Sequence, residues 1–535
     1  MTTSSTHSQK FGRRHVLAAL AAGCAAPSIA RAASDRVLNF VPESDLSVLD
    51  PIWTTTGITQ SHAYLVYDML FGLNSRYEVQ PQMAAGAVTE NGGLIWRIPL
   101  RDGLRFHDGE PVLARDCVAS IQRWGVRDPF GQTLLEATDE LSALDDRTLQ
   151  FRLKRPFPLL PAALGKPVAT LCAIMPERLA RTDPFTQVSE VIGSGPFRFL
   201  ADERVPGARV GYARFADYRP REDGVADWTS GPKVAHFDRV EWTVIADPAT
   251  AAAALRSGEI DWLEAPQVDL LPMLRQQRHI ELKVINTAGR LGFLRPNHLH
   301  PPFDKAEVRR ALLAAVNQSD FMSAVSGADP ALSRTGVGFF TPGSPSASEE
   351  GLDIWSHTPS LAVSRQAIAA AGYAGETVVV LGPGDTPTLR AISDVGVDLM
   401  QKLGMKVDYQ VVDWGTVVSR RAKKEAPQQG GWNVFPGYWT GLDAINPAAY
   451  PPLRGNGDRA WFGWPKSPRL EELRNAWLAA ADANAAERVT REMQRVAFEE
   501  VPFIPVGQYF GATAYNRSLQ GVLTGSPLFW NVRRA

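Results

Sequence analysis

The chain has 535 residues, 44% of them apolar and 21% charged, with a formal net charge of −1. The length suits about three to four domain-sized units, and the composition excludes disorder, collagen and coiled coil as the main architecture. No basic footprint points to nucleic acid, and no stretch reaches the ~20 apolar residues of a spanning helix.

Residues 1–32 hold Lys10, Arg13, Arg14 and Arg31 and no acid. An apolar run over 16–26 follows the arginine pair, and Ala30-Arg31-Ala32 supplies an A-x-A cleavage pattern. We read residues 1–32 as an export signal, of twin-arginine type on Gly12-Arg13-Arg14-His15-Val16-Leu17, with an ordinary Sec signal as the alternative. Leu20-Ala21-Ala22-Gly23-Cys24 resembles a lipobox, but its aliphatic residue sits one place too far from Cys24. Cleavage after Ala32 leaves 503 residues with a formal charge of −5.

Beyond the signal, strand and helix patterns alternate with no short-period repeat, which predicts an α/β fold. Strands are expected over 36–41, 94–100 and 148–153, and helices over 60–70 and 114–124. A strand over 240–245 precedes an alanine-rich helix over 248–257 that Gly258 ends. Residues 305–316 read as a helix with Asp304 as N-cap and Glu307 three residues later. Strand, helix and strand follow over 376–381, 388–403 and 405–412, then one long or broken helix over 467–499 and a strand over 503–510. Cys117 and Cys172 form no disulfide framework. Cys117 lies in a helical pattern and is expected to be buried and inert, and a bridge between the two stays open.

Catalytic motifs are missing: no G-x-S-x-G, H-E-x-x-H, C-x-x-C or Walker loop occurs. His298 and His300 have no third ligand beside them and read as an exposed loop pair. Glu259 and Asp261, next to Gly258, read as solvated turn carboxylates. The missing motifs lower the expectation of a common hydrolase but do not exclude an enzyme.

Five segments then occur in order. They are Leu49-Asp50-Pro51 with Val66-Tyr67-Asp68-Met69-Leu70-Phe71; the run 100–121 beginning Leu100-Arg101-Asp102-Gly103; and Gly193-Ser194-Gly195-Pro196-Phe197-Arg198-Phe199. Leu255-Arg256-Ser257-Gly258-Glu259-Ile260-Asp261 and the run 302–312 complete the set. Together they resemble the extracellular solute-binding proteins of ABC importers, of the dipeptide, oligopeptide and nickel type. Locally the glycines suit tight turns and close backbone approach, so these residues mark fold rather than chemistry.

The resemblance implies a two-lobed periplasmic-binding-protein fold, type II-like, with an extra subdomain inserted in the first lobe. Lobe I is placed over 33–288 with the inserted subdomain at about 70–185, lobe II over 289–502, and the return to lobe I over 503–535. It further implies a periplasmic monomer, not an enzyme and needing no cofactor or metal, that closes about a hinge on a small-molecule or peptide ligand and serves the membrane subunits of an ABC permease.

Residues 432–447 crowd aromatic side chains around one acid, Asp443. Aromatic walls exclude water and hold a cation, and a buried carboxylate pairs an ammonium. In peptide-binding relatives, an aspartate four residues before a proline holds the peptide's amino terminus, and Asp443 stands four before Pro447. Two departures from the family pattern are visible. Trp439 precedes the aspartate by four residues instead of three, and Asn446 replaces an acid. The alternative for Asp443 is a turn aspartate capping a helix near Asn446-Pro447. Trp439 is the expected aromatic wall, and Tyr438 and Trp414 either line side-chain pockets or belong to the core. Asp45 and Ser47, on the loop after the first strand, complete the candidate set. The expected ligand is a small peptide or amine-bearing solute. The alternatives are a nickel chelate or other non-peptide solute, or a secreted enzyme on an unrecognised scaffold.

Overall fold

Leu38 and Phe40 alternate inward on the strand Val37–Val41, and the first lobe is built around them. The computed structural model describes residues 36–356, 360–480 and 482–535, so the expected export signal and Cys24 lie outside the described residues. Val37–Val41 pairs in parallel with Arg239–Thr243 on one side and Trp262–Leu263 on the other. Four further strands complete a seven-stranded sheet: Ile280–Lys283, Thr513–Asn516, Arg209–Arg214 and Phe197–Phe199. Phe40, Trp242, Trp262 and Phe529 stack edge-on or tilted in its core, with centroids 4.9–5.7 Å apart.

A separate antiparallel sheet of Val88–Glu90, Ile95–Pro99, Thr148–Leu153 and Thr138–Ala143 lies within the span of the expected inserted subdomain. The helix Ala114–Arg127 packs on it through Cys117, Ile121 and Trp124. Cys117 and Cys172 are both buried and unbridged.

The second lobe carries a six-stranded sheet in the order Ser333–Arg334, Ile504–Tyr509, Arg290–Pro296, Val434–Thr440, Thr377–Pro383, Lys406–Val412. The strand Ile504–Tyr509 therefore pairs in this sheet, whereas the resemblance places the return to the first lobe at 503. An apolar strand pattern reports that a strand forms, but not which sheet receives it. The chain crosses between lobes over 284–289 and returns over 510–512. The two crossings touch: a Cβ on Gly289, at φ 57°, would lie 2.7 Å from Tyr509 O and from the Phe510 ring.

The alanine-rich helix forms as expected over Pro248–Ser257, ended by Gly258 at φ 80°, and Asp247 caps its start through Thr250 N at 2.7 Å. The long or broken helix expected over 467–499 is broken, into Pro468–Leu478 and Ala483–Glu500. Asp304 is not a cap: the helix is Ala306–Ala314 and Lys305 is its N-cap residue. Asp261 is not solvated but buried, accepting from Asn39 N and from Arg534 Nη2 at 2.8 Å each.

The family segments hold the lobe together. Asp50 is buried against Arg123 at 2.7 Å, and Asp68 against Lys233 at 2.6 Å with Tyr218 Oη donating at 2.9 Å. His107 N donates to Gly193 O at 2.9 Å, and a Cβ on Gly193 would sit 2.1 Å from Val66 O. Gly193 is thus required by close packing.

Candidate ligand-binding site

The strand Val434–Thr440 pairs with Arg290–Pro296 in the register Arg290 to Thr440, so successive side chains alternate between faces. Trp439 points to the side of Trp461, at 5.5 Å and edge-on, and its Nε1 has no partner among the described residues. Tyr438 points the other way and is 38% exposed. The Arg290 guanidinium lies 5.3 Å from its ring, and Tyr509 packs on it at 5.9 Å.

After Thr440 the chain turns against the first crossing. Gly441 N donates to Gly289 O at 2.8 Å, and a Cβ on Gly441 would lie 1.9 Å from Ala288 O. Only glycine fits there. The turn delivers Asp443 into the junction between the lobes. Leu442 and Ile445 beside it pack with Leu73, Val168 and Trp228 of the first lobe. Asn446 Oδ1 accepts from Ala448 N and Ala449 N at 3.0 and 3.2 Å, so the local capping belongs to Asn446.

Asp443 is 4% exposed, and its Oδ1 finds no hydrogen-bond donor among the described residues. Burial pushes its carboxyl up to about 7; Lys166 opposes that rise and Asp128 adds to it. Both neighbours come from the inserted subdomain and are themselves buried. Lys166 Nζ donates to Asp128 Oδ2, and Thr170 Oγ1 donates to the same oxygen at 2.6 Å. Asp128 Oδ1 caps the helix Pro129–Ala137 through Phe130 N and Gly131 N. Tyr64, from the helix Gly57–Val66, donates to Pro167 O, and Tyr450 Oη has no partner among the described residues. The assembly is a buried carboxyl with one open acceptor, close to the tyrosine hydroxyls of Tyr64 and Tyr450.

A second charged cluster joins the lobes at the crossings. Arg290 pairs Glu43 at 3.1 Å, and Glu264 accepts from Glu43 N at 2.7 Å. Burial and then the Glu43 charge push the Glu264 carboxyl up to about 7. Asp45 and Ser47 follow Glu43 on this loop, half-buried and exposed, and their side chains make no hydrogen bond among the described residues. Trp414 is not brought to Asp443. It opens the helix Trp414–Arg420 and packs inside the second lobe, 5.4 Å from the Arg421 guanidinium.

Lys166, Asp128, Glu264 and Arg290 were not among the sequence candidates. For Lys166 a signal existed, a lone lysine in the apolar stretch 159–173. His298 and His300 bond to the carbonyls of Pro502 and Lys424, and no group of three metal-ligating side chains occurs among the described residues. A cavity of about 640 Å³ on the first lobe, lined by Arg76, Arg221, Asp223 and Asp227 among others, contains none of the candidate residues. Its charged groups are already engaged: Arg76 pairs with Glu78 and Arg221 with Asp223, and Asp227 accepts hydrogen bonds from Ser75 N and Oγ.

A profile described as bacterial extracellular solute-binding proteins, family 5, middle, matches residues 78–461. A probable peptide ABC transporter periplasmic-binding protein of Sinorhizobium fredii is 37% identical over 527 residues, covering 97% of this chain and 98% of its own. The chain belongs to family 5 of the bacterial extracellular solute-binding proteins. It is a solute-binding protein of the ABC-importer kind. The glutathione-binding protein of Salmonella typhi is 25% identical over 490 residues, 89% of this chain and 90% of its own. Among solved family-like folds, the ABC transporter-associated periplasmic binding protein of Helicobacter pylori in complex with peptide STSA superposes with a TM-score of 0.76 at 20% identity, covering 93% and 98% of the two chains. A binding protein of Agrobacterium tumefaciens in complex with agropinic acid gives 0.76 at 19% identity, covering 93% and 99%. These likenesses establish the two-lobed fold. No helix of the described residues is long and apolar enough to cross a membrane.

Proposed function

We propose that this family-5 protein is a periplasmic receptor that encloses a small peptide or another amine-bearing solute between its lobes and delivers it to the membrane subunits of an ABC permease. The observation that carries the reading is Asp443, a buried carboxylate at the lobe junction with an oxygen that no group among the described residues satisfies. An unpaired buried charge is strongly unfavourable, and a ligand ammonium supplies both the donor and the opposite charge. Trp439 stands four residues away with an indole N–H that has no acceptor among the described residues, suited to a ligand carbonyl. Tyr438, Asp45 and Ser47 belong to the side of the junction held by Arg290 and Glu43, where they would meet the rest of the ligand. Opening and closing would pivot on the crossings 284–289 and 510–512. The arginine pair and A-x-A pattern of residues 1–32 support export by the twin-arginine route.

The test is a thermal-shift panel on mature protein that has been unfolded and refolded to strip bound solute. A ligand at about 100 times its dissociation constant adds about 2.7 kcal/mol of folded-state stability. Stabilisation by peptides or amines, with the probe recovered unchanged, supports the receptor. Silence of both, with a response to an acid, a sugar or a metal chelate, rejects the amine reading.

A further inference from the structure

Asp443, Asp128 and Lys166 form one buried charge group, with two anions and one cation. Asp128 is saturated, because its two oxygens accept from Phe130 N, Gly131 N, Thr170 Oγ1 and Lys166 Nζ. Lys166 has three N–H donors, and Asp128 is its one acceptor among the described residues. Asp443 Oδ1 has no donor among the described residues. The group is therefore short of one positive charge, and it offers one open acceptor beside two open donors. Tyr64 and Tyr450 also face Asp443, but burial keeps both phenols protonated, so they leave the charge unchanged.

Resting on the Asp443 reading above, we propose that Lys166 is a second recognition residue, one that makes the site select a cationic head whose neighbouring oxygen is a neutral carbonyl. An ammonium at Asp443 supplies the missing charge. The adjoining oxygen then meets the free donors of Lys166. A peptide or amino-amide carbonyl leaves the enclosed group neutral. The carboxylate of a free amino acid leaves one buried negative charge uncompensated, which a low-dielectric site disfavours. Asp128 acts as the anchor that orients the ammonium of Lys166.

Titration calorimetry with trialanine, alaninamide and alanine, on wild type, Asp443→Asn, Lys166→Met and Lys166→Arg, tests this. Wild type is expected to bind trialanine and alaninamide at least tenfold tighter than alanine. Lys166→Met is expected to weaken trialanine at least tenfold at pH 7.5 and to move the pH midpoint of binding upward, because Asp443 loses its cationic neighbour. Lys166→Arg is expected to restore both. Wild-type affinity and midpoint in Lys166→Met, with binding still lost in Asp443→Asn, overturn the role of Lys166 and leave Asp443 standing. Undiminished binding by Asp443→Asn overturns the reading beneath it. If no probe binds, ligand-free unfolding between pH 4 and pH 8 decides. The pH window by which wild type and Asp443→Asn differ must shift upward when the comparison is repeated in the Lys166→Met background, and an unmoved window overturns the proposal.

Discussion

Asp443→Asn is expected to strengthen the ligand-free protein while abolishing ligand capture. Burial raises the Asp443 carboxyl from 3.8 to about 7. At 1.36 kcal/mol per unit, that difference of roughly three units is worth about 4 kcal/mol. The folded pKa lies above the unfolded one, so the folded state holds a proton that the unfolded state has released between about pH 4 and pH 7. Stability from this group is intact below pH 4, declines through that window, and is fully lost above pH 7. Opening of the lobes returns the carboxylate to water, so the free energy of opening caps the penalty and ~4 kcal/mol is its upper bound. Urea unfolding of stripped protein at pH 4 and pH 8 measures it. The two proteins should agree at pH 4, and the variant should be the more stable by up to about 4 kcal/mol at pH 8. A variant equal to or weaker than wild type at pH 8 would refute the claim that Asp443 is held as an uncompensated buried acid.

Three further outcomes follow from the packing. Asp50→Asn leaves Arg123 buried without its counter-charge, and breaking such a pair costs about 3–5 kcal/mol; an unchanged urea midpoint contradicts this. His62, whose Nδ1 meets Tyr212 Oη at 2.9 Å, is driven by burial from 6.5 down to about 3. The unfolded chain takes up the proton that the fold refuses, so wild type loses about 1.4 kcal/mol per pH unit below pH 6.5. In His62→Asn the stability profile between pH 6 and pH 4 should flatten by one proton, and an unchanged slope contradicts this. Gly193→Ala pushes a methyl to 2.1 Å from Val66 O, and overpacking of that kind costs about 1–3 kcal/mol or more. A wild-type melting temperature would show that the loop yields instead.

What the sequence made legible is what short-range chemistry decides. The alanine-rich helix Pro248–Ser257 and the left-handed Gly258 that ends it are decided by neighbouring residues. Gly193 and Gly195 sit where another backbone passes, and their place in an ordered set of segments exposed them. The sheet that receives Ile504–Tyr509 was hidden, since pairing with Arg290–Pro296 spans some two hundred residues of chain. The same distance effect divides the site. Asp443 stood out as the one acid among aromatics, but its partners Lys166 and Asp128 arrive from a separate subdomain. Trp414 shows the opposite limit: an aromatic residue in a site and one in a core have the same composition signal, and Trp414 packs half-buried against a second-lobe cluster.

The most direct test of Asp443 as the anchor of an amine-bearing ligand is calorimetric titration of stripped mature protein at pH 7.5 with trialanine and with N-acetyltrialanine, which differ at the ammonium. The account predicts saturable binding of the free amine, at least a hundredfold weaker binding of the acetylated peptide, and loss of that preference in Asp443→Asn. Equal affinity for the two peptides would contradict it.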